Sequence, residues 1–360
     1  MLKKIDIYII KKFLSTFFFT LVLIICVIIV FDLSERLEEF IEKKAPLEAI
    51  IFDYYLNYIP YLANMMSPLF IFISVIFFTS KMASNSEIVA ILSGGVSFKR
   101  LLRPFLLCAL ILASLSFYLN NFLIPSANEK RIAFEEQYYR NKFKNYAQNI
   151  HMKINDNTFI FMTNFVADLN LGNNFSIERF NQNNELEYKL LSDNVKWDST
   201  INKWSITNYV ERYIDGLEET IHQGVRKDTV LDLKVEEFKR RINYVTTMNL
   251  FELNDFIEEQ KFKGSQQIVN YELERQQRTS YPFATFVLTV IGVSISSRKV
   301  RGGIGLHIGL GLLISFSYIL FMQVSSTFAL NSGVPAIIAV WIPNVLYSGL
   351  AAYLLKKAPK

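Results

Sequence analysis

The chain has 360 residues, 51% of them hydrophobic, with 31 Phe, 18 Tyr and a formal net charge of +5. Its apolar residues gather in blocks on either side of a polar middle, which excludes an ordinary single-core globular domain and points to a membrane protein. The basic residues cluster at the ends of those blocks, so no nucleic-acid surface is needed to explain them.

Uncharged apolar runs lie at 13–31, 54–80, 105–124, 283–297, 304–330 and 336–355. Most approach the roughly 20 residues that a bilayer-spanning helix needs, and they predict six transmembrane helices. The first run follows Lys3, Lys4, Lys11 and Lys12, as a signal peptide would, but it is too long and continues into "FDLSERLEEF" without a small-residue cleavage site. It is therefore a span. The fourth run is short and extends backward through "RTSYPF", where Pro282 is tolerated if neighbouring helices satisfy the freed carbonyl.

One set of span ends carries the four N-terminal lysines together with Lys81, Lys99, Arg100, Arg103, Arg298, Lys299, Arg301, Lys356, Lys357 and Lys360. By the positive-inside rule these ends face the cytoplasm, with both termini inside and the polar middle, residues 125–280, outside. The only acids at the same ends are Asp6 and Glu87.

Between the second and third spans lies "NSEIVAILSGGVSFKRLLRP". Ser84 and Glu87 have capping-box spacing, which predicts a short helix over Ile88–Leu92 ended by Gly94 or Gly95 in a left-handed conformation. Ser97 then begins a turn and Pro104 opens the third span. The short helix is apolar nearly all round, so something covers it: the chain's own helices, lipid headgroups or a partner.

Past the third span, "PSANEKRIAFEEQYYRNKFKN" is compatible with a helix resuming beyond Pro125. From 149 to 240 short alternating runs broken by Asn, Asp and Gly predict an all-β sandwich or barrel, for which an open jellyroll is one arrangement. An amphipathic helix follows over 248–263, ending at Gly264, and 268–297 reads as one helix entering the bilayer. The expected organisation is spans one to three in 1–124 with the short helix at 84–95, an extracytoplasmic domain in 125–267 with its β-core at 149–240, and spans four to six in 268–360. Cys26 and Cys108 fall inside spans, so the exported part has no disulfide framework.

"LSGGV" matches the signature loop of ABC ATPases, but no phosphate-cradling G-x-x-x-x-G-K-[ST] loop accompanies it, so the chain has no ATP site of its own. His307 is the one ionisable group well inside a span, close to an end, where it satisfies a carbonyl or faces water. No zinc-ligand spacing, nucleophile elbow or convincing carboxylate pair occurs, and neither enzymatic activity nor a cofactor is expected.

The turn sequence, "IDIYIIKKFL", "IPSANEKR", "YELERQQRTSYPFATFVLTVIGVSIS" and "SGVPAIIAVWIPNVLY" together resemble the LptF/LptG permease family over nearly the whole chain, with "NSEIVAILSGGVS" closer to the LptG side. The resemblance implies an α-helical inner-membrane protein with six spans and an inserted periplasmic jellyroll. It implies a half-transporter that pairs with a sister permease, binds a dimer of the ATPase LptB, and passes lipopolysaccharide to a periplasmic bridge of LptC- and LptA-like proteins. On that reading Ser84, Glu87, Ile88, Ile91, Leu92, Gly94 and Gly95 form the coupling helix, with Glu87 meeting an arginine of the ATPase. Spans one and five would form a lateral gate, in which Phe316, Tyr318, Phe321 and Phe328 contact acyl chains and Arg36, Lys43 and Lys44 meet lipid A phosphates. Two alternatives stand beside it: Lys43 paired with Glu39 one helical turn away, and a scaffold that moves its β-domain without passing lipid.

Overall fold

A computed structural model describes residues 3–139, 148–239, 241–298 and 303–358. Lys299, Arg301 and Lys360, three of the expected basic-end residues, lie outside the described residues. The chain divides into two compact units, one comprising Met1–Arg140, Thr246–Phe251 and Val269–Lys360, the other Asn141–Val245 and Glu252–Ile268.

In the first unit α1 runs over Lys4–Glu42. A short α2 (Leu47–Ala49) and a π-helical turn (Ile50–Tyr55) lead into α3 (Leu56–Ser84). The small α4 (Glu87–Ser93) is followed by α5 (Phe98–Tyr118), a second π-helical turn (Leu119–Leu123) and α6 (Ile124–Tyr138). Near the C-terminus stand α9 (Ile268–Ser296), α10 (Gly303–Ser332) and α11 (Ala336–Lys357). Six of the described helical segments are long and apolar enough to cross a membrane.

Two prolines act differently from the expectation. Pro104 lies inside α5, which opens instead at Ser97, whose side chain accepts from the Arg100 amide at 3.3 Å. Pro104 is the seventh residue of the helix and costs it one interior i→i−4 bond, to the Arg100 carbonyl, while the Ser cap supplies the true beginning. Pro125 sits in the first turn of α6, where its missing N–H is tolerated, so the third span continues through the π turn without a break.

Packing centres on α3, which lies against both α1 and α10. One core joins α1, α3, α4 and α5; another joins α3, α9, α10 and α11. The α3–α9 seam requires Gly292, where an added Cβ would stand 2.9 Å from Val75 and 3.1 Å from the Phe72 ring. Along α1 a thin stripe of Ile9, Phe13, Phe17, Leu21 and Ile25 is buried at four-residue intervals. Its remaining apolar surface is bare: 22% of its membrane window is buried, against 67% for α9.

The second unit holds β1 (Gln148–Asn155), β2 (Thr158–Val166), β3 (Leu171–Phe180), β4 (Leu186–Asp198), β5 (Lys203–Asp215) and β6 (Glu218–Thr229). All neighbours pair antiparallel in sequence order, β1 to β6, as successive hairpins. Trp197 pairs with Trp204 across β4 and β5, and the Trp204 indole donates to the Leu233 carbonyl at 3.2 Å. This bond draws the segment after β6, including α7 (Val235–Lys239), onto the sheet's apolar face, where Leu233, Val235 and Phe238 join the core. A 3-10 turn (Ile242–Thr247) and α8 (Leu250–Phe262) follow, and Gly264 ends α8 with φ 68°.

On the same sheet Glu211 is buried, accepting from the Tyr188 hydroxyl at 2.6 Å and from the Lys227 ammonium. Burial works to raise the Glu211 pKa, but Lys227 and Tyr188 outweigh it and hold the carboxyl below its ordinary value; the Lys227 ammonium is raised in turn by Glu211. A depressed carboxyl contributes stability that is present above the ordinary glutamate pKa and lost as pH falls through its folded value.

Two predictions test this packing. Gly292→Val forces the α3–α9 seam apart and costs about 1–3 kcal/mol, read as a lower thermal midpoint in detergent. Glu211→Ala leaves the Tyr188 hydroxyl without its acceptor and costs about 1–3 kcal/mol at neutral pH. In denaturant titrations followed by tryptophan fluorescence, the parent loses stability as pH falls below about 4.3, and the variant shows a shallower loss over the same window.

Candidate functional site

The turn between the second and third spans is built by its two ends. Ser84 is the last residue of α3, still helical, so it cannot cap α4, and the capping box expected between Ser84 and Glu87 does not form. Ser86 takes the N-cap position in a left-handed conformation, φ 62°, and makes no side-chain cap bond. Gly94 occupies the C-cap with ordinary dihedrals, and Gly95, at φ 82°, makes the left-handed turn.

The apolar residues of α4 face two ways. Ile88 is 1% exposed and belongs to the core of α1, α3 and α5, with Ile91 and Leu92 packed at its edge. Val89 is 59% exposed and Ala90 also lies at the surface. The chain's own helices thus cover one face of α4 and leave the other open.

Both acids at the basic ends are held by groups on other helices or turns. Glu87 accepts from the Tyr8 hydroxyl of α1 at 3.3 Å and from the Asn85 amide at 3.2 Å. Asp6 accepts from both terminal nitrogens of Arg100, at 2.7 and 2.5 Å, and from the Lys3 amide at 2.8 Å. Sequence reasoning picked out Glu87 but assigned no role to Asp6, Tyr8 or Arg100. The one available signal was that Asp6 stands among lysines at an otherwise basic end.

At the opposite end of α1, the Arg36 Nε donates to Asp32 at 2.8 Å, and the guanidinium lies 4.3 Å from the Tyr139 ring centroid. Asp32 also accepts from the Tyr54 and Tyr55 hydroxyls at 3.1 and 3.2 Å. Lys43 caps the helix and Lys44 follows at φ 52°, both exposed. Among the described residues neither ammonium has a carboxylate partner, Glu39 included. The local pairing considered for Lys43 is not made.

On α10, Phe316 and Phe328 are exposed and Phe321 is half-buried. Tyr318 differs from them: it is buried, and its hydroxyl donates to Asn344 of α11 at 3.0 Å, while the Asn344 amide donates to the Ser280 carbonyl of α9 at 3.2 Å. It ties three helices together and offers nothing to the surface of this chain. His307 is likewise internal, its Nδ1 lying 2.8 Å from the Ser80 hydroxyl. In the β-unit a cavity of about 670 Å³ is lined by polar and aromatic groups including Arg179, Tyr188, Tyr213 and Lys227.

No curated protein matches the chain. The family described as lipopolysaccharide export system permease LptF/LptG matches residues 7–357, which takes in every span and the six-stranded insert. With that coverage and this architecture, the chain belongs to the LptF/LptG family of lipopolysaccharide export permeases, multi-pass inner-membrane subunits of an ABC transporter.

Proposed function

We propose that this chain is half of a permease core that extracts lipopolysaccharide from the outer leaflet of the inner membrane and passes it to a periplasmic bridge. ATP hydrolysis takes place on a separate LptB-like dimer, and a sister permease supplies the other half. Both termini and α4 lie in the cytoplasm, and the β-unit lies in the periplasm, where LptC- and LptA-like proteins receive the lipid.

The observation that carries the reading is the open face of α4. Glu87, Val89 and Ala90 stand together at the basic end, on a helix whose other side is fixed in the bundle through Ile88. An apolar patch beside one carboxylate suits an ATPase groove that offers an arginine, since a partly desolvated charge-assisted pair fixes direction as well as distance. The exposed Lys43 and Lys44 at the far end of α1 suit the phosphates of lipid A, and exposed Phe316 and Phe328 suit acyl chains.

Glu87→Ala should reduce copurified ATPase and export, by about 2–5 kcal/mol in docking where the partner arginine is left buried. Glu87→Gln should be milder, because the amide oxygen still accepts from Tyr8 and Asn85. Normal ATPase recovery with parental export from Glu87→Ala would remove the coupling role. Lys43→Glu combined with Lys44→Glu should lower photo-crosslinking of lipopolysaccharide to α1 while assembly with the ATPase persists, and the parental signal should weaken as salt rises. Equal crosslinking in assembled variant and parent would leave these lysines as surface charge. A complex that holds its partners but neither retains lipopolysaccharide nor changes ATPase rate with it would favour the scaffold.

A further inference from the structure

The first two turns of α1 touch both sides of the coupling turn. Tyr8 reaches Glu87, the first residue of α4, and Asp6 reaches Arg100, in the first turn of α5. The second contact is the stronger by its geometry. Two parallel bonds from one guanidinium to one carboxylate fix orientation as well as separation, and Asp6 is only 3% exposed. Beside it Ile9, Phe98 and Leu101 share one buried core with Ile88 of α4. A buried carboxylate stripped of its guanidinium is strongly destabilised, so separating the pair during a cycle is costly, whereas moving it as one body is not.

Along its membrane window α1 is lightly held, since so little of that stretch is buried. Beside the apolar contact through Ile88 and the Tyr8–Glu87 bond, a displacement of α4 has an ion-paired route into α1 at this end, through the Gly95–Ser97 turn to Arg100 and across to Asp6. We propose that Asp6 and Arg100 are positioning residues that form a closed strut, carrying motion of α4 into the first span without opening at any stage of the cycle. This rests on the reading of α4 as the coupling helix.

The test uses the full complex with sister permease and ATPase, reconstituted with lipopolysaccharide, and reads ATPase retention and lipid released per ATP hydrolysed. Asp6→Asn is expected to retain the ATPase but lower lipid released per ATP by about three-fold, the scale on which residues in a coupling network act. The charge swap, Asp6→Arg with Arg100→Asp, should recover most of the loss. An unchanged ratio in Asp6→Asn would overturn the strut, as would loss of the ATPase from the complex, which would make the pair part of the docking surface.

Should Asp6→Asn fail to accumulate, a linked pair decides. Asp6→Cys with Arg100→Cys, in a Cys26→Ser background, is joined by a cleavable bifunctional maleimide. A strut that stays closed keeps a higher ratio when linked than after cleavage. Arrest on linking with recovery on cleavage would show that the contact must open and would overturn the proposal. A parent complex that releases no lipid at all would sink the transport reading itself, a result distinct from any difference between variants.

Discussion

A carboxylate buried in a helical bundle must be paired, because packed side chains offer nothing else to replace the water it gives up. Two such acids, Asp6 and Asp32, lie on the buried stripe of α1, and each is matched to an arginine. Arg100 belongs to α5, so the first pair joins two helices whose partners are 94 residues apart. Arg36 belongs to α1 itself, but Asp32 also gathers the hydroxyls of Tyr54 and Tyr55 from the π turn before α3. Apolar contact along a stripe this narrow sets the rotation of α1 about its axis. The ion pairs set where its ends are.

The rest of the membrane unit is arranged to leave α1 in that condition. The deeply packed helices are α3 and α9, held close by the absent side chain of Gly292, with Asn344 bridging α9, α10 and α11. In contrast α1 and α10 present bare apolar faces, including Phe19 and Phe31 on one and Phe316 and Phe328 on the other. Faces of this kind are compatible with lipid, with a second permease half, or with each in turn. Tyr318 stands on the internal side of α10 and keeps the helix attached while its other face stays open.

How much of this could be read in the sequence follows from the range of each interaction. The six spans were legible because hydrocarbon thickness sets a minimum run of apolar residues, and the β-character of the insert because alternation is local, whereas the number of strands and their joining into one sheet in sequence order depend on pairing that alternation does not encode. Gly95 and Gly264 were legible as turn residues because their left-handed backbone favours glycine. The capping box failed because its spacing says nothing about whether Ser84 has left the preceding helix, and α3 runs through it. The inward face of α10 was illegible for a different reason. Its residues are apolar all round, so no periodicity distinguishes Tyr318 from Phe316. The Asp6–Arg100 pair joins distant segments, and from the sequence only the oddity of an acid among lysines pointed to it.

The spacing of the two acids gives the arrangement its mechanical sense. From Asp6 to Asp32 a helix rises about 39 Å at about 1.5 Å per residue, more than the roughly 30 Å of the hydrocarbon core. In the proposed topology both pairs therefore sit near the two faces of the bilayer, where headgroups and water lower the cost of charge, and the long apolar run between them carries no acid. A helix fixed at its ends and held between them mainly by a narrow apolar stripe responds to a shift at one end by tilting or turning throughout, because a continuous hydrogen-bonded helix does not bend sharply without a proline, a π turn or an inserted group, and α1 has no proline or π turn. Motion at the basic end would thus arrive at Arg36 and the exposed lysines as a change in their position, with no intervening switch required.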